Sequence, residues 1–465
     1  MTTGEARGRV ERARAWLRAG PWQALEYGDF RLLWLGQLVS VTGTQMRVVA
    51  IAWQVYLISH DPLQLGILGL SQALALMVFS LVAGVLADAL DRRRLLIMVQ
   101  AILACGSLVL AITTQFGVVS LPLIYTIAFL MAAVSAFDYP ARQALIPSLV
   151  PAAVLPDALA INSLLFNIAS IVGPTVGGIA IAVVGVAGTY GADVASFLAV
   201  IAALVAMRSA VAPGWRQQRP NPVAAWLDGF AYLRARPVLL GLMGLDFCAM
   251  FFGSPQALLP IYATDILHVG PQGLGILSSA GSVGAVAGVF FAGRLRSIRR
   301  QGLGVLLGVT AWGLCIVLFG LTNGPLWPAQ PWRGLALQGP FWLAFLFLAG
   351  AGAADLVSMV LRNVIVQLST PDEMRGRVSA TNAIFIIGGP SLGQFESGVV
   401  ARFLTPQLSA LTGGLACLVA TGFIALGIPG VRRYHAGMYA SAPSGAKADI
   451  ADAASEAAAE LTPAD

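Results

Sequence analysis

The feature that most constrains this chain is a series of long apolar segments. Runs of at least about 18 apolar residues recur from Leu32 to the region of Gly427, and each is long enough to cross a hydrocarbon core about 30 Å thick. Charged residues make up only 11% of the 465 residues, whereas a soluble globular domain carries roughly 25%. The composition therefore excludes a water-soluble enzyme and indicates a protein that crosses a membrane many times.

The apolar segments are predicted to be helices, because several are hydrophobic on every side and they lack the short alternating pattern of barrel strands. The breaks between them define twelve spans, at about residues 32–58, 63–87, 95–114, 119–137, 159–186, 189–208, 238–263, 272–293, 302–322, 341–368, 379–402 and 407–429. We therefore predict an all-α integral membrane fold with twelve transmembrane helices.

The second half of the chain repeats features of the first. The tripeptide Gly-Ile-Leu at 66–68 recurs at 275–277, and Arg142 and Asn162 have counterparts 220 residues later in Arg362 and Asn382. The repeat predicts two pseudo-symmetric six-helix bundles, and transporters built in this way bind substrate between the halves near the bilayer midplane. The predicted domains are a cytoplasmic N-terminal segment (1–30), an N-terminal bundle (31–208), a cytoplasmic linker (209–237), a C-terminal bundle (238–430) and a disordered cytoplasmic tail (431–465).

The basic residues predict the orientation in the membrane. With a cytoplasmic N-terminus, all but three of the 28 basic residues fall in cytoplasmic segments. The exceptions are Arg333 and Arg402, which fall outside, and Arg47, which lies within the first span. Because cytoplasmic loops of membrane proteins carry an excess of arginine and lysine, we expect a multi-pass protein of the cell inner membrane with both termini in the cytoplasm.

The sequence predicts no nucleic-acid partner, no metal and no cofactor. The net charge is +6, but the arginines are spread between the spans and form no single patch, so we predict no nucleic-acid partner. All four cysteines lie inside apolar spans, with a spacing that fits neither a zinc site nor a disulfide framework. The chain lacks a Walker A sequence, which excludes a fused ATPase motor. We expect no metal, no cofactor and a functional monomer.

Two motifs point to a transporter. Residues 84–94 read GVLADALDRRR, and residues 173–178 read GPTVGG. Glycine lets helices approach closely, and proline frees a backbone carbonyl within a membrane helix. The first segment resembles the loop 2–3 motif of the major facilitator superfamily, and the second is similar to the GPxxGG motif of its antiporters. The resemblance implies gating or conformational roles for Gly84, Asp88, Arg92, Arg142, Arg362, Gly173 and Pro174.

Longer phrases narrow the resemblance to one branch. Residues 30–37, 52–56, 140–144, 367–378 and 395–398 are similar to the enterobactin-exporter-like branch of the superfamily. This resemblance implies the major facilitator fold and a secondary active transporter, with a small-molecule substrate and protons as partners in the lipid bilayer. The favoured function is proton-coupled export, by antiport, of a small organic molecule such as a siderophore or a drug.

Ionisable residues inside the spans are candidates for function, because each is costly to insert into the membrane. Asp355, Glu396 and Asp246 are the candidates for proton coupling, in that order. In the superfamily, spans 1, 4, 7 and 10 line the central cavity. Because Arg47 lies in span 1, the resemblance implies that its positive charge is in the cavity, where it would favour a cargo with an anionic group. The candidate cavity residues are Arg47, Trp53, Gln54, Tyr56 and Asn382. A structural ion pair, with Arg362 or Arg47 holding an aspartate ionised, is the alternative role for each charged group.

Two other functions stay open at this point. A proton-coupled importer of a small solute would carry the same motifs. An integral-membrane transferase would use Asp88 and Asp91 to hold a Mg²⁺-diphosphate, but the corresponding place in the second half holds four arginines instead of a second acidic motif. We therefore predict that the protein is not an enzyme.

Overall fold

The computed structural model describes residues 21–89, 91–208, 229–295, 300–322 and 339–435. Every regular element in these ranges is a helix. The long helices are α1 (Gly28–Ser59), α2 (Pro62–Ala89), α3 (Arg92–Gln115), α4 (Leu121–Leu145), α5 (Leu155–Ala206), α6 (Pro237–Phe252), α7 (Gly270–Leu295), α8 (Gln301–Gly320), α9 (Gly339–Ser369), α10 (Asp372–Phe403) and α11 (Pro406–Gly427). The predicted all-α membrane fold is confirmed.

Short helical segments connect or extend the long helices. Three of them, Pro21–Glu26, Ile146–Ser148 and Gln256–Leu258, are 3₁₀ turns. The last of these leads into an α-helical turn, Leu259–Ile261, and a π-helical turn, Tyr262–Ile266, while a five-residue helix, Pro429–Arg433, follows α11.

Each predicted span except the seventh coincides with a helical region of the structure. Within the described ranges, nine helical segments are long and apolar enough to cross a membrane. One of these is α5, which at 52 residues is far longer than the roughly 20 residues that one crossing needs. The predicted spans 32–58 and 379–402 lie in α1 and α10, which fall outside the nine.

A glycine divides α5 at the position where the sequence predicts a break. Gly185 has φ 75° and ψ 176°, a backbone conformation that residues with a Cβ rarely adopt. The break falls next to the predicted boundary between spans 159–186 and 189–208. The helix therefore has two parts, 155–184 and 186–206, each long enough for one crossing.

The seventh predicted span is interrupted, which the sequence analysis did not predict. Helix α6 ends at Phe252, and the chain continues through short turns as far as Ile266. Pro255 supplies the physical reason, because proline has no N–H to donate and disfavours a helical conformation at the residue before it. Gly253, directly after α6, lies close against Trp312, since a Cβ at this position would overlap the Trp312 ring.

The helices form two compact units. The first unit contains α1 to α5 together with residues 259–282, and the second contains α6, the remainder of α7 and α8 to α11. Large side chains that are almost completely buried, including Phe30, Tyr190 and Phe197, fill the first unit. A core that includes Leu242, Met243 and Ile365 fills the second.

Candidate functional site

A buried ion pair joins two helices of the first unit. Arg47 on α1 places its Nε 3.1 Å from Oδ2 of Asp193 on α5, although that N–H is not directed at the oxygen. The hydroxyl of Ser107 donates to the same Oδ2 over 2.5 Å, and the Ser196 hydroxyl lies 3.5 Å from Oδ1. We call these four residues the Arg47–Asp193 cluster. Because both charged side chains are at most 7% exposed, the pair neutralises charges that neither partner could carry alone at this depth.

A glycine on α1 makes room for this cluster. Gly43 lies one helical turn before Arg47, and a Cβ there would lie 2.9 Å from Oδ1 of Asp193 and would overlap the Ser196 hydroxyl. The Arg47 guanidinium also contacts the Sδ of Met131 at 2.8 Å and the face of Phe197, with 5.8 Å between its Cζ and the ring centroid. The arginine is therefore enclosed by protein groups on several sides.

The cluster bears on the two roles predicted for Arg47, a cavity residue that would favour an anionic cargo or a partner in a structural ion pair. The charge of Arg47 is compensated by a carboxylate of the same unit, as the second role requires. Asp193 was not among the predicted site residues. The signal was present, because Asp193 lies inside the predicted span 189–208, and the rule that selected Asp246 would also have selected it.

Gln54 is held in a polar chain within the first unit. Its amide nitrogen donates to the Thr114 hydroxyl over 2.9 Å, and its amide oxygen accepts from the hydroxyl of Tyr190 over 2.8 Å. Gln54 is 5% exposed and Trp53 is 8% exposed. The hydrogen bonds therefore tie α1 to α3 and α5, which is a structural task for a residue that the sequence analysis placed in the cavity.

Tyr56 forms a hydrogen bond with an acid that the sequence analysis did not select. Its hydroxyl donates to Oδ2 of Asp265, which lies in the π-helical turn Tyr262–Ile266. Both residues belong to the first unit, although 209 residues separate them. This hydrogen bond fixes the turn that precedes α7 to the end of α1.

The glycine motif on α5 lies against two other segments of the same unit. A Cβ on Gly173 would lie 2.5 Å from the Cβ of Gln45, and one on Gly177 would lie 2.8 Å from the Cα of Met46. A Cβ on Gly178 would lie 3.0 Å from the Cα of Gly275 and would overlap the carbonyl oxygen of Pro271. The motif therefore permits backbone contacts between helices.

Replacement of Gly178 is expected to disrupt this packing strongly. In Gly178→Val the side chain meets the backbone of residues 271–275, which cannot move aside as a flexible side chain can, and overpacking of this kind costs about 1–3 kcal/mol. We expect less folded protein in the membrane and a lower thermal midpoint in detergent. Gly191→Val on the same helix is the control, because no atom lies within 4 Å of its added Cβ. Equal stability of the two variants would contradict this account.

The second unit contains a buried ion pair with an additional acid nearby. Nη1 of Arg362 on α9 contacts Oδ1 of Asp246 on α6, and the two side chains are 5% and 6% exposed. Asp355, also on α9, lies within electrostatic range of both charges but has no basic partner within 4 Å among the residues that the structure describes. The site therefore holds two carboxyl groups and one guanidinium. We call these three residues the Asp246–Arg362–Asp355 site.

The partner of Arg362 is an aspartate on another helix, which agrees with the structural ion pair considered as the alternative role for Arg362. Asp355 lies seven residues before Arg362 on α9, about 10 Å along the helix axis, and the two side chains form no ion pair in this structure. Arg362 instead reaches α6, where it meets Asp246. Glu396 lies half-buried on α10 and has no ion-pair partner in the described part of the chain.

A further ion pair lies at the end of α4. Arg142 and Asp138, one helical turn apart, form an ion pair, and Gln100 on α3 donates to Asp138 over 2.8 Å. Arg92 donates to the backbone oxygen of Ala144 over 2.7 Å. These contacts tie the first residues of α3 to the end of α4.

The remaining predicted site residues are placed as follows. Asp91 caps α3, because its Oδ1 accepts from the backbone N–H of Arg94 over 2.9 Å. Asn382 lies half-buried on α10. The surroundings of Gly84 and Asp88 lie outside the part of the chain that the structure describes. Their proposed role in gating therefore depends on the sequence motif.

Comparison with known proteins agrees with this architecture. The chain is 27% identical over 406 residues to the enterobactin exporter EntS of Escherichia coli O81 (strain ED1a), which covers 87% of this chain and 93% of the relative. The structure is similar to the nucleoside transporter NupG, with a TM-score of 0.65 and 13% identity over 88% of this chain and 100% of that one. It is also similar to a bacterial homologue of the iron transporter ferroportin, with a TM-score of 0.64 and 14% identity over 86% of this chain and 98% of that one.

The family follows from a match over almost the whole chain. The model of the transmembrane secretion effector family matches residues 19–444, which includes all eleven long helices. The relatives and structural neighbours are transporters and not enzymes, and they imply a small-molecule substrate and a membrane setting. The chain therefore belongs to the transmembrane secretion effector family and is a multi-pass transporter of the major facilitator superfamily.

Proposed function

We propose that this transporter is a proton-coupled exporter of a small organic molecule, with a siderophore of the enterobactin type as the first cargo to test. The direction and the cargo class are supported by the similarity to the enterobactin exporter, which extends over 87% of this chain. Coupling to an ion gradient is supported by the lack of a Walker A sequence in the chain. We further propose that the protein functions as a monomer.

The observation that carries the proton-coupling proposal is the charge balance of the Asp246–Arg362–Asp355 site. The site contains one guanidinium for two carboxyl groups, and Arg362 contacts Asp246. An uncompensated carboxylate within a membrane protein is costly, so Asp355 is stabilised when it binds a proton. If Arg362 moves from Asp246 towards Asp355 during the transport cycle, Asp355 releases its proton. The Arg47–Asp193 cluster contains one acid for one arginine and has no such excess.

The test is transport by the purified protein in liposomes with an imposed pH gradient. An acid interior drives uptake of cargo by an antiporter whichever way the protein is inserted, because protons leave as cargo enters. We therefore expect radiolabelled enterobactin to accumulate when the interior is acidic and to remain at equilibrium without a gradient. Accumulation only when the exterior is acidic would show proton symport and would support the importer. No cargo flux under either gradient, from protein that is folded and monodisperse, would reject this cargo.

We propose that both termini lie in the cytoplasm, as the arginine distribution indicates. Reporter fusions after Val211 and after Arg433 are expected to show cytoplasmic activity, and a fusion after Asn323 is expected to show the opposite side. Activity of paired reporters, one active only in the cytoplasm and one only outside, gives the sidedness. An outside signal at Arg433 would contradict the proposed orientation.

We also propose that Asp88 stabilises the state that is closed towards the cytoplasm. Its place in the GVLADALDRRR segment supports an interaction with a nearby arginine or with a helix N-terminus. Asp88→Asn is expected to slow transport while leaving cargo affinity and folding unchanged. Asp91→Asn is the matched control, because it removes the same charge three residues away and asparagine still caps α3. Wild-type transport by Asp88→Asn, or equal slowing by both variants, would refute the assignment.

A further inference from the structure

A small cavity lies at the beginning of α6 in the second unit. Its volume is about 140 Å³, and it is lined by residues 235–239, Ser369 and Tyr434. Arg236 is the charged residue in this lining. The cavity and the Asp246–Arg362–Asp355 site lie at different heights along α6. Arg236 directly precedes the first residue of the helix, whereas Asp246 lies more than two turns into it.

The lining holds the Arg236 guanidinium in a defined place. Its Cζ lies 3.8 Å from the ring centroid of Tyr232, and the Tyr232 hydroxyl donates to the backbone oxygen of Ser369 over 3.3 Å. The side-chain hydroxyls of Ser369 and Tyr434 lie 2.9 Å apart. Stacking on an aromatic face leaves the in-plane N–H groups of a guanidinium directed outwards, which is the geometry that binds phosphate. Arg236 is thus oriented for an anion.

The first turn of α6 adds to this preference. Pro237 is the first residue of the helix, and the N–H groups of the next residues have no acceptor within the helix. The N-terminus of a helix carries a partial positive charge that favours anions. The guanidinium of Arg236 and this helix end therefore attract the same kind of ligand.

The surroundings of the cavity are both cationic and apolar. The exposed arginines near its two walls are Arg234, Arg300, Arg432 and Arg433. Leu368, near the end of α9, is 62% exposed. Leu368 directly precedes Ser369, which lines the cavity. A soluble anion would use only the cationic part of this surface, whereas a lipid with an anionic headgroup would use both parts.

We propose that this cavity binds the headgroup of an anionic phospholipid. The phosphate lies against Arg236 and the start of α6, and an acyl chain lies against the exposed side chain of Leu368 at the end of α9. The proposed cytoplasmic orientation of the termini places this cavity at the inner leaflet, but the proposed binding does not depend on that orientation. No transport step depends on this site.

The experiment compares lipids retained by the purified full-length protein. The protein is reconstituted in phosphatidylethanolamine with added phosphatidylglycerol and is then extracted with detergent. Native mass spectrometry measures which lipids remain bound to it. We expect the wild type to retain phosphatidylglycerol in preference to phosphatidylethanolamine. Arg236→Gln is expected to reduce this preference roughly five- to tenfold, since it removes a charge-assisted hydrogen bond and a charge at the membrane surface.

Matched variants separate the proposed site from a general effect of charge. Arg94→Gln removes an exposed arginine at the start of α3 and is expected to leave lipid retention unchanged. Tyr232→Leu keeps the charge but removes the stacking surface, so it is expected to weaken retention, whereas Arg236→Lys should retain part of it. Thermal midpoints show whether each variant is folded.

Two outcomes would overturn the proposal. In the first, Arg236→Gln and Arg94→Gln, both folded, retain the same lipids. In the second, inorganic phosphate alone displaces phosphatidylglycerol and raises the thermal midpoint of the wild type but not that of Arg236→Gln, which would assign the cavity to soluble anions. A loss of lipid preference in Arg236→Gln with cargo transport intact would support the proposal independently of the proposed function.

Discussion

Asp355→Asn is expected to abolish gradient-driven accumulation of cargo while leaving downhill exchange intact. Asparagine is close to aspartic acid in size but cannot bind or release a proton, so the variant resembles a transporter whose proton site is permanently neutral. For one-for-one exchange, each pH unit supplies about 1.4 kcal/mol, which corresponds to about tenfold accumulation by the wild type. Asp355→Asn should show no accumulation above equilibrium under the same gradient. The measurement is uptake of labelled cargo into liposomes with and without the pH gradient.

Two matched variants determine whether the effect belongs to Asp355. Glu396→Gln also neutralises a half-buried acid of the second unit, but this acid lies on α10, and the proposal predicts that accumulation persists. Asp246→Asn leaves Arg362 without its partner, so Arg362 is expected to turn towards Asp355 and to hold it ionised. That variant should also lose coupling, and its folding must be measured separately. Retained accumulation by Asp355→Asn would show that the proton binds elsewhere. Loss of accumulation in Glu396→Gln alone would place the proton site on α10.

The helical architecture was largely predictable because membrane insertion depends on local composition. The apolar runs gave the spans, and Gly185 lies at the predicted break within residues 159–208. The Asp138–Arg142 pair was also predictable, since residues four apart are neighbours on a helix. Each of these features depends on residues that are close together in the sequence.

The charge partners were not predictable for the opposite reason. Arg362 pairs with Asp246, 116 residues earlier, and Arg47 pairs with Asp193, 146 residues later. Which faces of two helices meet depends on packing along their whole length, and a count of charges in one span does not contain that information. The hydrogen bond between Tyr56 and Asp265 is a similar case, because it requires the turn after α6 to lie against α1.

The Arg47–Asp193 cluster gives a second large expected effect. Removal of one partner leaves the other charge buried without compensation, which costs about 3–5 kcal/mol. Arg47→Met and Asp193→Leu are therefore each expected to lower the thermal midpoint sharply and to reduce the amount of folded protein. The double variant Arg47→Met/Asp193→Leu replaces both charges by apolar groups of similar size, and such replacements are often neutral or stabilising. It should recover most of the stability that either single variant loses.

The double variant also decides between the two roles considered for Arg47. If Arg47 only joins α1 to α5, it makes no contact with cargo, and the apolar replacements restore the packing between the two helices. The double variant then binds and transports an anionic cargo as the wild type does. If Arg47 contacts the cargo, the double variant is stable but binds anionic cargo more weakly, while affinity for a neutral analogue is unchanged. The buried geometry, with Arg47 5% exposed and held by Asp193 and Met131, favours the first result. Wild-type stability of Arg47→Met alone would show that the ion pair contributes nothing to folding.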